Sequence, residues 1–429
     1  MALDNDELNK RREERKKEKQ FYDAQMRLLK IGTIVTAATM VVCVAALLIT
    51  KGLVSVPKPT EPSQPQLEVT EPVTTAPPET TVPEETIPDT VIHFVAGGDV
   101  GVTDKLVSAG ATLNGYDFSN MFLDVSGVLS GGDLTAVNFE GNLYGNIFGT
   151  ETASAPQQLM TALRNAGVDL VQTANSYTIH NGPLGLRSTL DGIRGAGMEP
   201  VGTFADSEEF QRTRGFTIRE VDGIKIAVVA FTKGMNGMGL PAGAKDCVNL
   251  LYTDILTYQE IDTEGITRIL QDIALEKPDI TIALLHWGGR EAPKISKSQT
   301  DIRDLMLAGG VDAIIGTHSA FVQQIEFDPQ RGTVVAYSLG DLMGTANSGI
   351  LLDLQITKNG KTGEVKLTGC DYVPVYLVDE TETGGSMRLL RIREALLAYE
   401  NRFVDRVSAA TYEAMKSTLQ TIESRVNKK

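Results

Sequence analysis

The chain has 429 residues, with 40 Lys and Arg against 55 Asp and Glu, and a formal net charge of −15 at pH 7. Its first thirty residues carry nine basic and seven acidic side chains, which leaves −17 for the remainder and excludes nucleic acid as an expected partner, because phosphate binding needs concentrated positive charge. The three cysteines, Cys43, Cys247 and Cys370, show no CxxC spacing, which excludes a disulfide framework, a thiolate zinc site and a redox motif but leaves room for one Cys247–Cys370 bridge.

Residues 1–30, with KRREERKKEK at their centre, form a charged segment. They run into IGTIVTAATMVVCVAALLIT (31–50), twenty residues without a charge. As a helix this stretch spans roughly 30 Å, the hydrocarbon thickness of a bilayer. Basic residues crowd its N-terminal side while only Lys51 and Lys58 follow closely, which orients the N-terminus to the cytoplasm and the rest of the chain outside. A cleaved signal peptide has an apolar region of about 7–15 residues and a small-residue cleavage site, so the sequence favours an uncleaved single-pass anchor in the cell membrane. Residues 51–90 are rich in Pro, Thr and Glu and too poor in large apolar residues to bury a core. They read as an extracellular stalk that reaches on the order of 100 Å when extended.

From 91 to 378 short Val/Ile/Leu-rich runs alternate with longer amphipathic stretches, the pattern of an α/β fold. Strands are expected at VIHFVAGGD (91–99), LTAVNFEGN (134–142), VDLVQTANS (168–176), IKIAVVAFT (224–232), DITIALLHWGG (279–289), VDAIIGTHSA (311–320) and GTVVAYSLGD (332–341). Helices are expected over 156–166, 183–196, 262–276 and 298–309. In the third, Ile266, Ile269, Leu270 and Ile273 are spaced for one buried face. LLDLQIT (351–357) and EVKLTG (364–369), joined through Asn359-Gly360, predict a hairpin flanking the sheet. After Gly384-Gly385, residues 379–429 read as one long or two shorter helices, an amphipathic extension without chemistry.

The strands end on polar residues: Asp99, Asn138 with Glu140, Asn175, His286, His318, and Ser338 with Asp341. In α/β sheets the carboxyl ends of strands are where ligands and metals are held. Oxygen and imidazole donors without a thiolate suit Mn, Zn, Fe or Mg, and a two-metal arrangement can activate water against a phosphoester. Taken singly, Asp99 also reads as a turn or helix-capping residue, Glu140 as a capping group and Asn175 as a left-handed turn residue. His93, inside the first strand, reads as a satisfied core or sheet-face residue.

The motifs GGD (97–99), NFEG (138–141), ANSYTIHNG (174–182), HWGGRE (286–291), GTHSAFVQ (316–323) and YSLGDL (337–342), in this order, resemble the CapA family of capsule and poly-γ-glutamate synthesis proteins over about residues 91–345. The domain of that family is similar to calcineurin-like metallophosphatases. The resemblance implies a four-layer sandwich, two mixed sheets flanked by helices, here preceded by one transmembrane helix as in Gram-positive members. It places Asp99, Glu140, Asn175, His286 and His318 at metal or polar-site positions. The catalytic candidates in this chain are His286, His318 and Tyr177, and Asn138, Arg290, Ser338 and Asp341 are the candidates to face a substrate.

The departures from the family pattern fall on reactive positions. Asn175-Ser176-Tyr177 stands where Asn-Asn-His is usual, and His180 where an aspartate is usual. His318-Ser319-Ala320 replaces His-Pro-His, Arg290 takes the place of an acid, with Glu291 displaced by one, and Asp341 replaces the Asn of YSLGN. A two-metal hydrolase needs roughly six or more donors, so a single divalent ion is the expected complement. His180 as a substitute ligand requires a rearranged loop.

Three functions follow as expectations. The first is binding or guiding an anionic envelope polymer, or its synthesis machinery, by a protein with an eroded metal site. It requires a local basic patch, with Arg290, Lys294 and Lys297 near His286 as candidates. The second is an active metal-dependent phosphoesterase or amide hydrolase of the cell envelope, and the third a non-catalytic surface scaffold.

Overall fold

The computed structural model describes residues 87–380, 386–401 and 407–427. The charged segment, the apolar stretch 31–50 and nearly all of the Pro-rich segment lie outside the described residues. Among the described residues, no helix is long and apolar enough to cross a membrane.

In chain order the strands are β1 (Thr90–Gly101), a small ribbon of β2 (Ala111–Thr112) and β3 (Gly115–Tyr116), β4 (Leu134–Glu140), β5 (Leu170–Gln172), β6 (Glu199–Val201), β7 (Phe216–Val221) and β8 (Ile224–Thr232). There follow β9 (Ile280–His286), β10 (Ala313–Thr317), β11 (Ile325–Asp328), β12 (Thr333–Ala336), β13 (Asp341–Met343), β14 (Ser348–Lys358), β15 (Val365–Asp379) and β16 (Met387–Arg391). One mixed sheet runs β16-β15-β14-β1-β4-β5-β6 with β13 also paired to β1; the other runs β11-β12-β10-β9-β8-β7. Strands β1, β4, β5 and β6 are parallel, as are β8, β9, β10 and β12, so each group delivers its carboxyl ends to one edge.

Strands buried on both faces read as unbroken apolar runs, and this explains the Val/Ile/Leu stretches. Along β1, Ile92, Phe94 and Ala96 join Ile226, Val228 and Ala230 of β8 in a core between the two sheets. The alternate residue Val95 packs instead with Leu159 and Leu163 of the helix Gln158–Ala166. On β8, Ala227, Val229 and Phe231 face Ile266, Ile269, Leu270 and Ile273 of the helix Thr263–Leu275. The result is helix, sheet, sheet, helix. The helices begin where the sequence supplies caps: Asp262 accepts from the Gly265 N–H, and Ser296 with Gln299 forms a capping box at Lys297–Ala308.

Three expectations are corrected. GTVVAYSLGD is two strands, not one: β12 belongs to the second sheet, the chain turns through Ser338–Gly340 with Gly340 at φ +72°, and β13 pairs with β1 in the first. The YSLG motif is therefore the crossing between sheets. The hairpin 351–369 does not flank the sheet but lies within it, since β14 pairs along β1 and β15 along β14. MRLLR (387–391), read as helix, is strand β16 paired to β15, because Met387, Leu389 and Leu390 are buried there. The two helices that follow, Ile392–Glu400 and Ala409–Val426, bury Leu396, Met415, Ile422 and Val426 in the same core cluster as the inner face of β1, so the amphipathic extension packs on the domain.

Cys247 and Cys370 are free thiols and form no bridge. His93 meets Asp353 Oδ1 across β1 and β14 at 2.9 Å, a satisfied sheet-face residue.

Candidate metal centre

The centre is built at the strand ends. Register aligns Asp99 of β1 with Asn138 of β4 and Asp341 of β13, and His286 of β9 with Thr232 of β8 and Thr317 of β10. The crossing segment 337–340 ties the two sets together, lying tight against a strand of each sheet: a Cβ on Gly98 of β1 would lie 1.9 Å from the Gly340 carbonyl oxygen, and one on Gly316 of β10 2.0 Å from the Tyr337 carbonyl oxygen. Trp287, fully buried, donates its indole N–H to that Tyr337 oxygen at 2.9 Å. The HWG and YSLG motifs thus interlock, which is a structural reason for their order and pairing.

Donor atoms of Glu140, His286 and His318, all buried, lie within 4.8 Å of one another. The backbone N–H of Ser176 approaches His286 Nε2 at 3.2 Å, and an N–H can only donate, so Nε2 is an acceptor. Glu140 Oε1 lies 3.3 Å from the same Nε2, which sets two acceptors face to face and makes this contact something other than an ion pair. Burial, then His318, Lys233 and Arg290, push the His286 imidazole well below its ordinary pKa. Burial, with Lys233 and Arg290, takes His318 down to about 3. Both rings are therefore neutral, the form that binds metal. Their centroids are 4.5 Å apart.

His318 holds a left-handed φ of +85°, a conformation that costs on the order of 1–3 kcal/mol in a non-glycine residue. Its backbone N–H donates to Asp99 Oδ2 at 3.1 Å, and its own Nδ1 is buried without a partner, as are Glu140 Oε1 and Asp341 Oδ1. Buried polar atoms without partners are rare and costly. A divalent cation satisfies such a set, so the donors present fit a metal.

Asp99 and Asn175, expected as ligands, lie beside the three donors in a hydrogen-bond network. Asp99 Oδ1 accepts from Asn138 Nδ2 at 2.7 Å, so both of its oxygens are engaged. Burial first, then Glu140 and Asp341, raise its pKa well above the usual carboxylate range. Asn175 donates to Asn138 Oδ1 and to the Phe139 carbonyl, and accepts from the Tyr177 N–H at 3.0 Å, which uses both amide hydrogens and one lone pair of its oxygen. Asn138, expected to face substrate, is the hub of this network and also lies 3.5 Å from His286 Nδ1. Ser338 spends its hydroxyl on the Ser319 carbonyl and accepts from the Gly340 N–H, so it shapes the crossing turn instead of meeting a ligand.

Tyr177 is half-buried beside the centre, its phenol raised by burial and by Glu140. His180 turns away to the Glu151 carbonyl oxygen at 3.2 Å, so it does not substitute for a lost ligand. Arg290 reaches inward: Nη1 lies 3.3 Å from Glu140 Oε2, and Nη2 2.7 Å from Thr345 Oγ1 and 3.7 Å from Asp341 Oδ2. The expected partners Lys294 and Lys297 are exposed, and Lys297 is paired with Asp301. The second cation near the centre is Lys233, which donates to the Gly288 carbonyl at 2.7 Å and lies 4.8 Å over the Tyr258 ring. It was legible as the residue directly after the strand IKIAVVAFT.

A family model described as "Bacterial capsule synthesis protein PGA_cap" matches residues 93–345, over half of the chain, and every residue of the centre lies within that range. The chain belongs to this family. The "Capsule biosynthesis protein CapA" of Bacillus anthracis is 24% identical over 238 residues, 54% of this chain and 55% of that one. A "Probable polyglutamine synthesis accessory protein" of Mycobacterium tuberculosis (strain CDC 1551 / Oshkosh) is 24% identical over 188 residues, 43% of this chain and 46% of that one. The chain thus spans about half the length of the curated relatives it matches. The crystal structure of a novel phosphatase from Mycoplasma pneumoniae aligns at 14% identity and a TM-score of 0.42, over 69% of this chain and 98% of that one, a likeness too loose to bear on chemistry.

Burial lifts Glu140 to about 7, with Arg290 opposing and Asp341 adding to the rise. Its unfolded value is near 4.5, so between these values the folded chain holds a proton the unfolded chain lacks. The depressed His286 and His318 contribute in the opposite direction below their ordinary value of 6.5, so the Glu140 contribution is read as a difference from Glu140→Gln. Metal-free wild type is expected to lose stability relative to Glu140→Gln as pH rises from about 4.5 through 7, as read by thermal melts at pH 5 and 7.5, and added Mn²⁺ is expected to restore wild type above pH 7. A difference that stays flat or runs the other way contradicts the assignment.

Proposed function

We propose that this family member is a single-pass membrane protein, anchored through 31–50 with its N-terminus cytoplasmic, whose outer domain binds or guides an anionic envelope polymer such as poly-γ-glutamate. Glu140, His286 and His318 hold one divalent ion in a calcineurin-like metallophosphatase sandwich. The observation that carries this reading is the pair of partnerless buried donors, Glu140 Oε1 and His318 Nδ1, beside a neutral His286. When bound, the ion supplies a fixed positive charge and Lewis acidity toward an anionic group.

The protein's own residues do the rest. Burial raises Asp99, Glu140 and Asp341 toward their protonated forms, so the fixed charges of the centre are Arg290, beside all three acids, and Lys233, beside the two histidines. A bound divalent ion adds to them, which reconciles an acidic chain with a polyanionic ligand: attraction is local and strengthened by the ion. Arg290, with 31% of its side chain exposed, presents a guanidinium edge to a carboxylate or phosphate. Asn138, Asn175 and Asp99 fix the geometry.

The full chain in detergent micelles is expected to bind poly-γ-glutamate in the presence of Mn²⁺, more weakly as salt rises and about tenfold or more weakly after chelation, a loss equal to about 1.4 kcal/mol. Binding that is absent at low salt with Mn²⁺, or indifferent to chelation, contradicts the proposal. One observation favours hydrolysis as a second reading: Tyr177, kept protonated beside Glu140, is a proton donor for a leaving group. Mn²⁺-dependent turnover of a phosphoester or γ-glutamyl amide that Tyr177→Phe reduces while metal affinity stays unchanged would support it.

A further inference from the structure

Glu140 and Asp341 come from different strands, β4 and β13, and are 3% and 0% exposed. Carboxylates so buried need a cation or a proton, and each keeps one oxygen without a hydrogen bond. The group between them is the guanidinium of Arg290. Its nitrogens lie 3.3 Å from Glu140 Oε2 and 3.7 Å from Asp341 Oδ2, both longer than the 2.7–2.9 Å of a close charge-assisted bond. Arg290 is therefore shared between the two acids instead of clamped to either. It is held there from two sides: Thr345 Oγ1 accepts from Nη2 at 2.7 Å, and the Ala320 N–H, two residues beyond His318, donates to the Arg290 carbonyl at 2.9 Å. Arg290 and the His318 loop are thus fixed relative to each other, and the guanidinium stays protonated at every accessible pH.

We infer that Arg290 is a tethered second cation, occupying the place between Glu140 and Asp341 that a second metal ion would otherwise fill, so that the centre accepts one divalent ion and no more. The inference rests on the metal reading given above for its stoichiometry, but not for the role of Arg290 between the two acids. Arg290 acts here as a positioning and charge-compensating residue.

The test uses the full chain in detergent micelles, stripped with chelator and titrated with Mn²⁺ by calorimetry, and a melt of the metal-free form. Wild type is expected to bind one equivalent, Arg290→Ala two, and Arg290→Lys one. In the metal-free form Arg290→Ala is expected to melt about 5–10 °C lower, since it strands buried charge, and adding Glu140→Gln with Asp341→Asn is expected to restore most of that loss. Two equivalents in wild type, or a single equivalent of unchanged affinity in Arg290→Ala, overturns the inference. If wild type binds no Mn²⁺, the metal reading fails, and the melts alone decide: an unchanged melting temperature in Arg290→Ala overturns the role of Arg290, whereas loss with rescue upholds it. Should Arg290→Ala not fold, the triple variant decides in the same way, folding if the inference holds and failing if it does not.

Discussion

His286→Ala is expected to weaken Mn²⁺ binding by at least about 100-fold while leaving the secondary structure in place. Outer partners of metal ligands already cost about 10–100-fold when removed, and His286 is a fully buried member of the three-donor group itself. Glu140 and His318 alone leave two donors, and the Ser176 N–H loses its acceptor at the same time. Calorimetric titration of the variant checks the affinity, and far-UV circular dichroism checks the fold. Polymer binding should fall with it under conditions where wild type responds to the ion. Wild-type affinity in a folded His286→Ala chain removes this residue from the centre.

Gly98→Ala is expected to destabilise the fold by more than about 3 kcal/mol, enough in many proteins of this size to prevent accumulation of folded chain. The reason is backbone against backbone. The added Cβ would lie 1.9 Å from the Gly340 oxygen, and Gly340 belongs to the crossing turn that also supplies the acceptor for the Asp99 N–H at 3.1 Å. No rotamer change relieves that collision; β1 and β13 must separate, and Asp99 moves with them. Gly101→Ala is the control on the same strand: its nearest contact is 3.5 Å, ordinary van der Waals distance, and its stability should stay within about 1 kcal/mol of wild type. Chemical denaturation of the two variants side by side checks the contrast, and equal behaviour contradicts the close approach of the crossing turn to β1.

Much of the fold was legible because local signals carry it. The apolar runs at 91–96, 224–231 and 280–285 mark strands buried on both faces, and the amphipathic spacing at 263–275 marks a helix over one of them. What was not legible depends on partners distant in sequence. Nothing in GTVVAYSLGD shows that its first half pairs with β10 and its last residues with β1, since sheet membership is decided by the strand opposite. MRLLR followed by a helical pattern reads as helix until β15 offers it an edge to pair with.

The site divides in the same way. Its location at the strand ends and the convergence of Glu140, His286 and His318 follow from residue type at strand termini. The roles of Asp99, Asn138 and Asn175 do not, because a polar side chain becomes a ligand or an anchor according to which hydrogen-bond groups neighbouring strands present to it. Charge misled in one respect: Lys294 and Lys297 cluster near His286 in sequence but point to solvent, while Lys233, fifty-three residues before His286, donates its backbone N–H to the His286 carbonyl oxygen and belongs to the centre.

X-ray absorption of the full chain loaded with one equivalent of Zn²⁺ interrogates the three donors together. If Glu140, His286 and His318 hold the ion, the spectrum shows nitrogen and oxygen ligands at about 2.0–2.2 Å with the multiple scattering of two imidazoles, and His318→Ala reduces this to one. An ion retained with oxygen ligands alone, or a chain that retains no ion, contradicts it.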